Sequence, residues 1–399
     1  MKILILNDYA NVEGGASNIA IKSALLLSEK HEVIFFAPVG PVDSRLKRSN
    51  INVICLNEKD LLRKKLFKSL VHGLWNFNSK NKLEECIKSL NGNELRIFIH
   101  SWTKNLSPSI FKTLLKKNSK TFLVNHDYFS ICPNGGFYFF KEKKICKLKP
   151  LSKQCVLSNC DSRSYNVKLW RVLRQTIFNF YFRKMLKNKL KMIYVSGFSK
   201  NIFFNHIGSD HKNIVIDNPI ISSALPKKLE IVQNKKIAFF GRLSEEKGAL
   251  FIAKSLSHIA ENVIFIGDGI LKNEIKKINK NFEITGWLDE NKVNEKLSNL
   301  RAIIFPSFLH ETDGLAVKEA GIVGIPSIIF NDVAAANNLE NNHNALLINR
   351  NNTQELYNAI DKIYDDEILD KLSTNCFSYF NGIKFKKETF YKKLTSCLV

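Results

Sequence analysis

The chain has 399 residues, 45% of them hydrophobic, and a formal net charge of +23. That length exceeds one ordinary core, so two domains are expected. No run of about 20 uncharged apolar residues occurs, which excludes a spanning helix from the expectation.

The opening "KILILN", "DYANVEGG", "ASNIAIKSALLLSEK" reads as strand, glycine-containing loop and helix, with Ile19, Leu26 and Leu27 at helical spacing. Its first apolar run stops at Asn7 and Asp8, too short for a signal peptide, so the chain is expected to stay in the cytoplasm. "HEVIFFAP", "NVICL", "RIFIH", "TFLVNHD" and "KMIYVS" continue as short apolar runs separated by helical patterns. Such runs predict parallel strands covered on both faces, a Rossmann-like half. A second series is expected from "NIVIDNP" onward, with strands "KIAFFG", "NVIFIGD", "FEITG", "AIIFPS" and "PSIIF". Pro219 marks a natural hinge between the halves. "KKETFYKKLTSCLV" predicts a terminal helix.

Charge is spread unevenly. Between Ser101 and Val215 roughly 22 Lys and Arg stand against about 4 Asp and Glu. The excess suits a phosphate-rich partner: nucleic acid, an anionic membrane face or a diphosphate. It also suits a merely solvated basic surface. Within it, "KLWRVLRQTIFNFYFRKMLKNKLK" reads either as a basic amphipathic helix on an anionic membrane or as a core-packed helix with a basic outer side. No nucleic-acid motif accompanies the charge, so nucleic acid is not an expected partner. The same region holds Cys132, Cys146, Cys155 and Cys160. Four thiolates suit tetrahedral zinc, but C-x2-C knuckles are absent. Structural zinc, reduced thiols packing an insertion, and a disulfide or redox role all stay open.

Two stretches carry the chemistry. In "FFGRLSEEKG" a strand ends at Gly241, Arg242 follows at once, and Lys247 stands just before a helix. A planar guanidinium fork and a compact ammonium there suit one anion; a surface loop of ordinary charges is the plain alternative. In "HETDGLAVKEAG" Glu311 falls in a loop and Glu319 about two turns into the next helix. The amides near Asp313, Gly314 and Leu315 open that helix and favour an anion. Two carboxylates first suggest general acid and base. Their loop-then-helix placement, with amides between and cations upstream, points instead to two hydroxyl acceptors. A solvent-facing cap and a helix-surface residue remain the simplest reading.

Taken together, Gly241-Arg242-Leu243, Lys247-Gly248, Glu311 with Glu319, and Gly324-Ile325-Pro326 resemble the signature of glycosyltransferase family 4, with its GT-B fold. "FIGDGI" (Gly267, Asp268, Gly269), "ITGWL" (Gly286, Trp287), "YVSGFSK" and "IDNPI" follow in the same order. The resemblance covers nearly the whole chain and is strongest from Asn218 to Ile348. It implies an α/β GT-B architecture: two Rossmann-like domains facing across a cleft, with the C-terminal helix returning to the first. The expected boundaries are 1–215, with a basic Cys-containing insertion at about 130–190, then 216–380 and a terminal helix 381–399.

The resemblance also implies roles. Arg242 and Lys247 hold the donor diphosphate, Glu319 accepts bonds from ribose, and Glu311 faces the donor sugar. The amides of Asp313, Gly314 and Leu315 flank sugar and phosphate, and Gly267 lies in the donor site. Gly14 and Gly15 let the first loop approach the phosphates. His126 stands where the family carries a histidine near donor sugar and acceptor, and His100 is a weaker candidate of the same kind. The cysteine stretch resembles a subgroup from bacterial surface-polysaccharide pathways. The implied activity is retaining transfer from a UDP- or GDP-sugar to a lipid-linked or oligosaccharide acceptor, for capsule, O-antigen or exopolysaccharide. No catalytic metal or covalent intermediate is expected. The location is the inner face of the cytoplasmic membrane, as a peripheral protein. The rivals are a nucleotide-sugar epimerase of the same fold and an inactive basic protein that binds lipid or nucleic acid.

Overall fold

The computed structural model describes residues 1–63, 65–90, 94–117, 119–208, 213–220 and 227–398. The chain divides into two compact units. The first comprises Met1–Lys141, Cys146–Asp217 and Tyr391–Val399; the second comprises Glu142–Ile145 and Asn218–Phe390.

The first unit is built on a parallel sheet of β1 (Lys2–Leu6), β2 (Glu32–Ala37), β3 (Asn52–Cys55), β4 (Leu95–Ile99), β5 (Lys120–Asn125), β6 (Leu190–Tyr194) and β7 (Asn213–Val215). Their spatial order is β3-β2-β1-β4-β5-β6-β7. Ile3, Leu4, Ile5 and Leu6 are fully buried, so β1 is covered on both faces, as a run without alternation demands. Three helices matter below: α1 (Gly15–Leu27), α2 (Leu66–Leu74) and α3 (Tyr165–Asn188). Ser164 caps α3, its Oγ accepting from the Val167 amide at 3.3 Å. One face of α3 buries Phe178, Phe182 and Met185, and Phe178 stacks on Trp102 with centroids 4.2 Å apart. The aromatic and basic stretch is therefore a core-packed helix on that face.

Asn213–Val215 stands at the junction of the two series and pairs in parallel with β6, Met192 opposite Asn213. A short apolar run carries no mark of the sheet it joins. The C-terminal segment belongs to the first unit: Leu394, Cys397 and Leu398 are buried, and Arg96 Nε donates to the Leu398 carbonyl at 2.9 Å. The last residue of the predicted terminal helix lies outside the described residues.

The second unit has β8 (Lys236–Phe240), β9 (Val263–Ile266), β10 (Glu283–Ile284), β11 (Leu300–Phe305), β12 (Ser327–Phe330) and β13 (Leu346–Ile348), in the order β10-β9-β8-β11-β12-β13. Its helices include α4 (Ala249–Ser255), α5 (Leu315–Gly321), α6 (Thr353–Tyr364) and α7 (Asp366–Phe380), and α8 (Lys387–Ser396) follows them. Asn352 and Asp365 cap α6 and α7 through their side-chain oxygens. In both sheets the strand order reverses beside the first strand: between β1 and β4, and between β8 and β11. Loops leaving the carboxyl ends of such neighbours diverge and leave a crevice where ligands bind.

Candidate functional site

At the switch point of the second unit, the loop after β8 brings Lys247 and the loop after β11 brings Glu311. Their side chains form an ion pair, and Ser307 Oγ donates to the same Glu311 oxygen at 2.7 Å. The Phe308 amide donates to the Glu246 carbonyl at 2.8 Å, tying the two loops by backbone as well. Gly248 has φ +80°, and a Cβ there would stand 2.2 Å from the Pro306 carbonyl oxygen. Gly267, after β9, has φ +143°, and its Cβ would stand 2.0 Å from the Gly241 carbonyl oxygen. Only glycine serves at either position, because both the dihedral and the space exclude a side chain. Three loop backbones thus converge at one sheet edge. Arg242 projects from this edge into solvent, and its guanidinium makes no hydrogen bond or ion pair among the described residues.

Gly314 precedes the first residue of α5. The Asp313 carboxylate turns inward: it pairs with buried Lys318 at 2.6 Å and accepts from Asn218 Nδ2 at 2.7 Å. Lys318 Nζ also reaches the Asn218 carbonyl at 3.4 Å. That network fixes the α5 start and leaves the amides, not the Asp313 side chain, to meet a ligand. Glu319 is the fifth residue of α5, about one turn in and half-buried, nearer the helix start than the spacing suggested.

The first unit repeats the logic at its own switch point. Asp8 lies just after β1, and its carboxylate accepts from the Lys104 amide at 3.1 Å and the Leu106 amide at 2.8 Å. Burial pushes this carboxyl above its usual range, opposed by those two amides. His100 after β4 and His126 after β5 share a hydrogen bond, Nδ1 to Nε2, at 2.9 Å. Burial drives the His126 imidazole down to about 4, and His100 is lowered by burial and by His126. Both rings are neutral at neutral pH. Burial pushes Asp127 up to about 6, against the Phe129 amide and the Arg174 charge. Arg174 of α3 is buried, donates to the Thr103 carbonyl at 2.7 Å, and is pulled down to about 9. Gly14 and Gly15 are exposed at the start of α1, and Gly14 is left-handed at φ +149° with open space around it. Backbone conformation, rather than crowding, calls for glycine there. Gly14, Gly15 and His126 belong to the first unit; Arg242, Lys247, Gly267, Glu311, Gly314, Leu315 and Glu319 belong to the second.

The four clustered cysteines surround a residue the sequence reading missed. Lys168 is fully buried, with Nζ 3.2 Å from Cys160 Sγ and 3.5 Å from Cys155 Sγ. Asn134 links Cys132 Sγ at 3.1 Å to Cys160 Sγ at 3.2 Å. Burial pushes the Cys132 thiol up to about 11. Among the described residues no three His, Cys, Asp or Glu side chains converge as a ligand set. What the thiols do meet is the Lys168 ammonium, which donates to two of the sulfurs. Asp8, Asp127, Arg174, Ser307 and Lys318 were missed too. Asp8 and Asp127 carried a faint signal, being polar residues at the ends of buried apolar runs.

Two parallel sheets of reversed strand order, each with polar groups at its switch point, define the GT-B class of fold. HepE of Anabaena, in complex with UDP and glucose, superposes with a TM-score of 0.69 at 16% identity, covering 100% of this chain and 99% of that one. Residues 234–366 match the family described as Glycosyl transferases group 1. UDP-Gal:alpha-D-GlcNAc-diphosphoundecaprenol alpha-1,3-galactosyltransferase of Escherichia coli is 29% identical over 150 residues, 34% of this chain and 38% of that protein. 2-Deoxystreptamine N-acetyl-D-glucosaminyltransferase of Niallia circulans is 28% identical over 220 residues, 52% of this chain and 49% of that protein. The chain thus spans less than half the length of these curated relatives.

Proposed function

We propose that the chain is a retaining glycosyltransferase of family 4 that moves a sugar from a UDP-sugar to a hydroxyl of a lipid-diphosphate-linked glycan. The observation that carries this reading is the pairing of Lys247 and Glu311 across the β8–β11 switch point, beside the α5 start, inside the group 1 domain.

Departure of a nucleoside diphosphate develops negative charge on phosphate oxygens. Lys247, Arg242 and the amides opening α5 lie on loops at one sheet edge and supply fixed positive charge there. Losing one preorganised donor of this kind costs about 3–4 kcal/mol of transition-state stabilisation. Glu311, held by Lys247 and Ser307, presents its carboxylate to hydroxyls of the donor sugar, and Glu319 accepts from ribose. Neutral His126 bonds a sugar hydroxyl or guides the proton of the attacking one. UDP in HepE and a lipid-linked diphosphate acceptor in the Escherichia coli relative support the donor and acceptor classes. Such an acceptor puts the protein at a membrane face, in surface-polysaccharide assembly. No helix among the described residues is long and apolar enough to cross a membrane.

The test is a screen of UDP- and GDP-sugars for release of free nucleotide diphosphate, with and without a lipid-diphosphate acceptor. Acceptor-stimulated UDP release is expected. Interconversion of the donor sugar without nucleotide release would replace this reading with the epimerase.

A further inference from the structure

The first unit exposes an apolar surface that its core does not use. On α2, Leu66 and Phe67 are each 77% exposed, and Leu70 and Val71 repeat them one turn later. A helix of a soluble protein turns its apolar stripe inward; this one turns it out. The helix is held from behind. Trp170 of α3 donates its indole N–H to the Leu70 carbonyl at 3.0 Å, and a Cβ on Gly73 would stand 2.5 Å from the Trp170 ring. The contact sets α2 beside the outer side of α3, where Leu169 and Leu173 are exposed as well. Six large apolar side chains on two packed helices therefore share one surface, whereas scattered single residues would need no explanation.

Exposed cations flank it. Arg63, Lys65 and Lys68 are exposed at the α2 end, and Arg183, Lys184 and Lys187 are exposed further along α3. The sequence holds no Asp or Glu from Leu61 to Leu83, and none from Ser162 to Gly208. A second copy of the chain is a poor occupant, because a two-fold contact would set these cations against one another. An anionic bilayer meets both demands, with acyl chains for the leucines and phenylalanine and phosphate headgroups for the cations.

We infer that α2 and the outer face of α3 form a membrane-docking surface that lies in the headgroup layer of an anionic bilayer, with Leu66 and Phe67 inserted. This deepens the membrane part of the function proposed above and does not depend on the donor assignment.

Flotation of the full chain with vesicles tests it. Binding to vesicles of phosphatidylcholine with phosphatidylglycerol is expected, and much weaker binding to phosphatidylcholine alone. The L66S/F67S variant should bind at least about tenfold more weakly. K65E/K68E should fall to the level seen with neutral vesicles. L169S/L173S, on the longer and better anchored helix, gives a second reading if the α2 variant loses its wild-type melting temperature. Wild-type flotation by properly folded variants would overturn the inference. So would a dimer, seen by sedimentation, that L66S/F67S abolishes while the wild type ignores vesicles. UDP-induced stabilisation, measured in parallel, keeps the two proposals apart: its loss with flotation intact counts against the donor site alone.

Discussion

Gly248 shows how far a single residue commits the site. Its left-handed backbone and its approach to the Pro306 carbonyl leave no room for a methyl group. Gly248→Ala should cost about 2 kcal/mol or more and move the loop carrying Lys247 away from the loop carrying Glu311. A urea midpoint equal to wild type would contradict this. "GRLSEEKG" made the glycine and the cations visible as a pattern, but not the reason for the glycine. The carbonyl it faces lies nearly sixty residues away, on a different strand's loop. His126 yields a prediction of another kind. Its imidazole stays neutral in the folded chain down to about pH 4, against an ordinary value of 6.5. The unfolded chain therefore binds a proton that the folded chain refuses, and stability is lost as pH falls from 6.5 toward 4. Asp127, raised to about 6, slopes the other way over part of that window, since its folded form holds the extra proton. Comparing His126→Gln with wild type cancels Asp127. Denaturation at pH 6.5 and 4.5 should show the wild type losing more stability than the variant; equal losses would refute the neutral assignment. That environment was not legible in "NHD", because His100, brought in after β4, forms part of it.

At the scale of elements, the α5 start depends on a buried pair. Asp313 and Lys318 lie five positions apart, and Asn218 closes the network from outside the helix. Breaking one partner of a buried pair strands the other charge. Asp313→Ala should therefore destabilise the fold by about 3 kcal/mol and weaken nucleotide binding by displacing the Gly314 and Leu315 amides. Unchanged thermal unfolding would show the pair to be dispensable. The sequence marked Asp313 for its amide; the inward side chain appears only once α5 and Asn218 are in place. α3 makes the complementary point. Its composition allowed a core helix or a membrane helix, and the fold supplies both faces: Phe178 and Phe182 within, Leu169 and Leu173 without. α2 was not legible as a surface element at all, since its exposed leucines look in sequence like any buried stripe.

The molecule as a whole holds two sheets whose order reverses beside the first strand, and in each chemistry-bearing residues follow the strands at or next to that switch point. Strand order was not written in the apolar runs, but the positions of polar residues at their ends were, and these chose the site. β7 stands at the junction of the two series, and a three-residue strand says nothing about its partners. The central claim is that the second unit holds a nucleoside diphosphate through Lys247 and the α5 start. Calorimetric titration of UDP into the wild type and into Lys247→Ala tests it most directly. Binding by the wild type, weakened at least about tenfold in the variant, is expected for a charge-assisted phosphate contact. No UDP binding by the wild type, or equal affinity in the variant, would contradict the account.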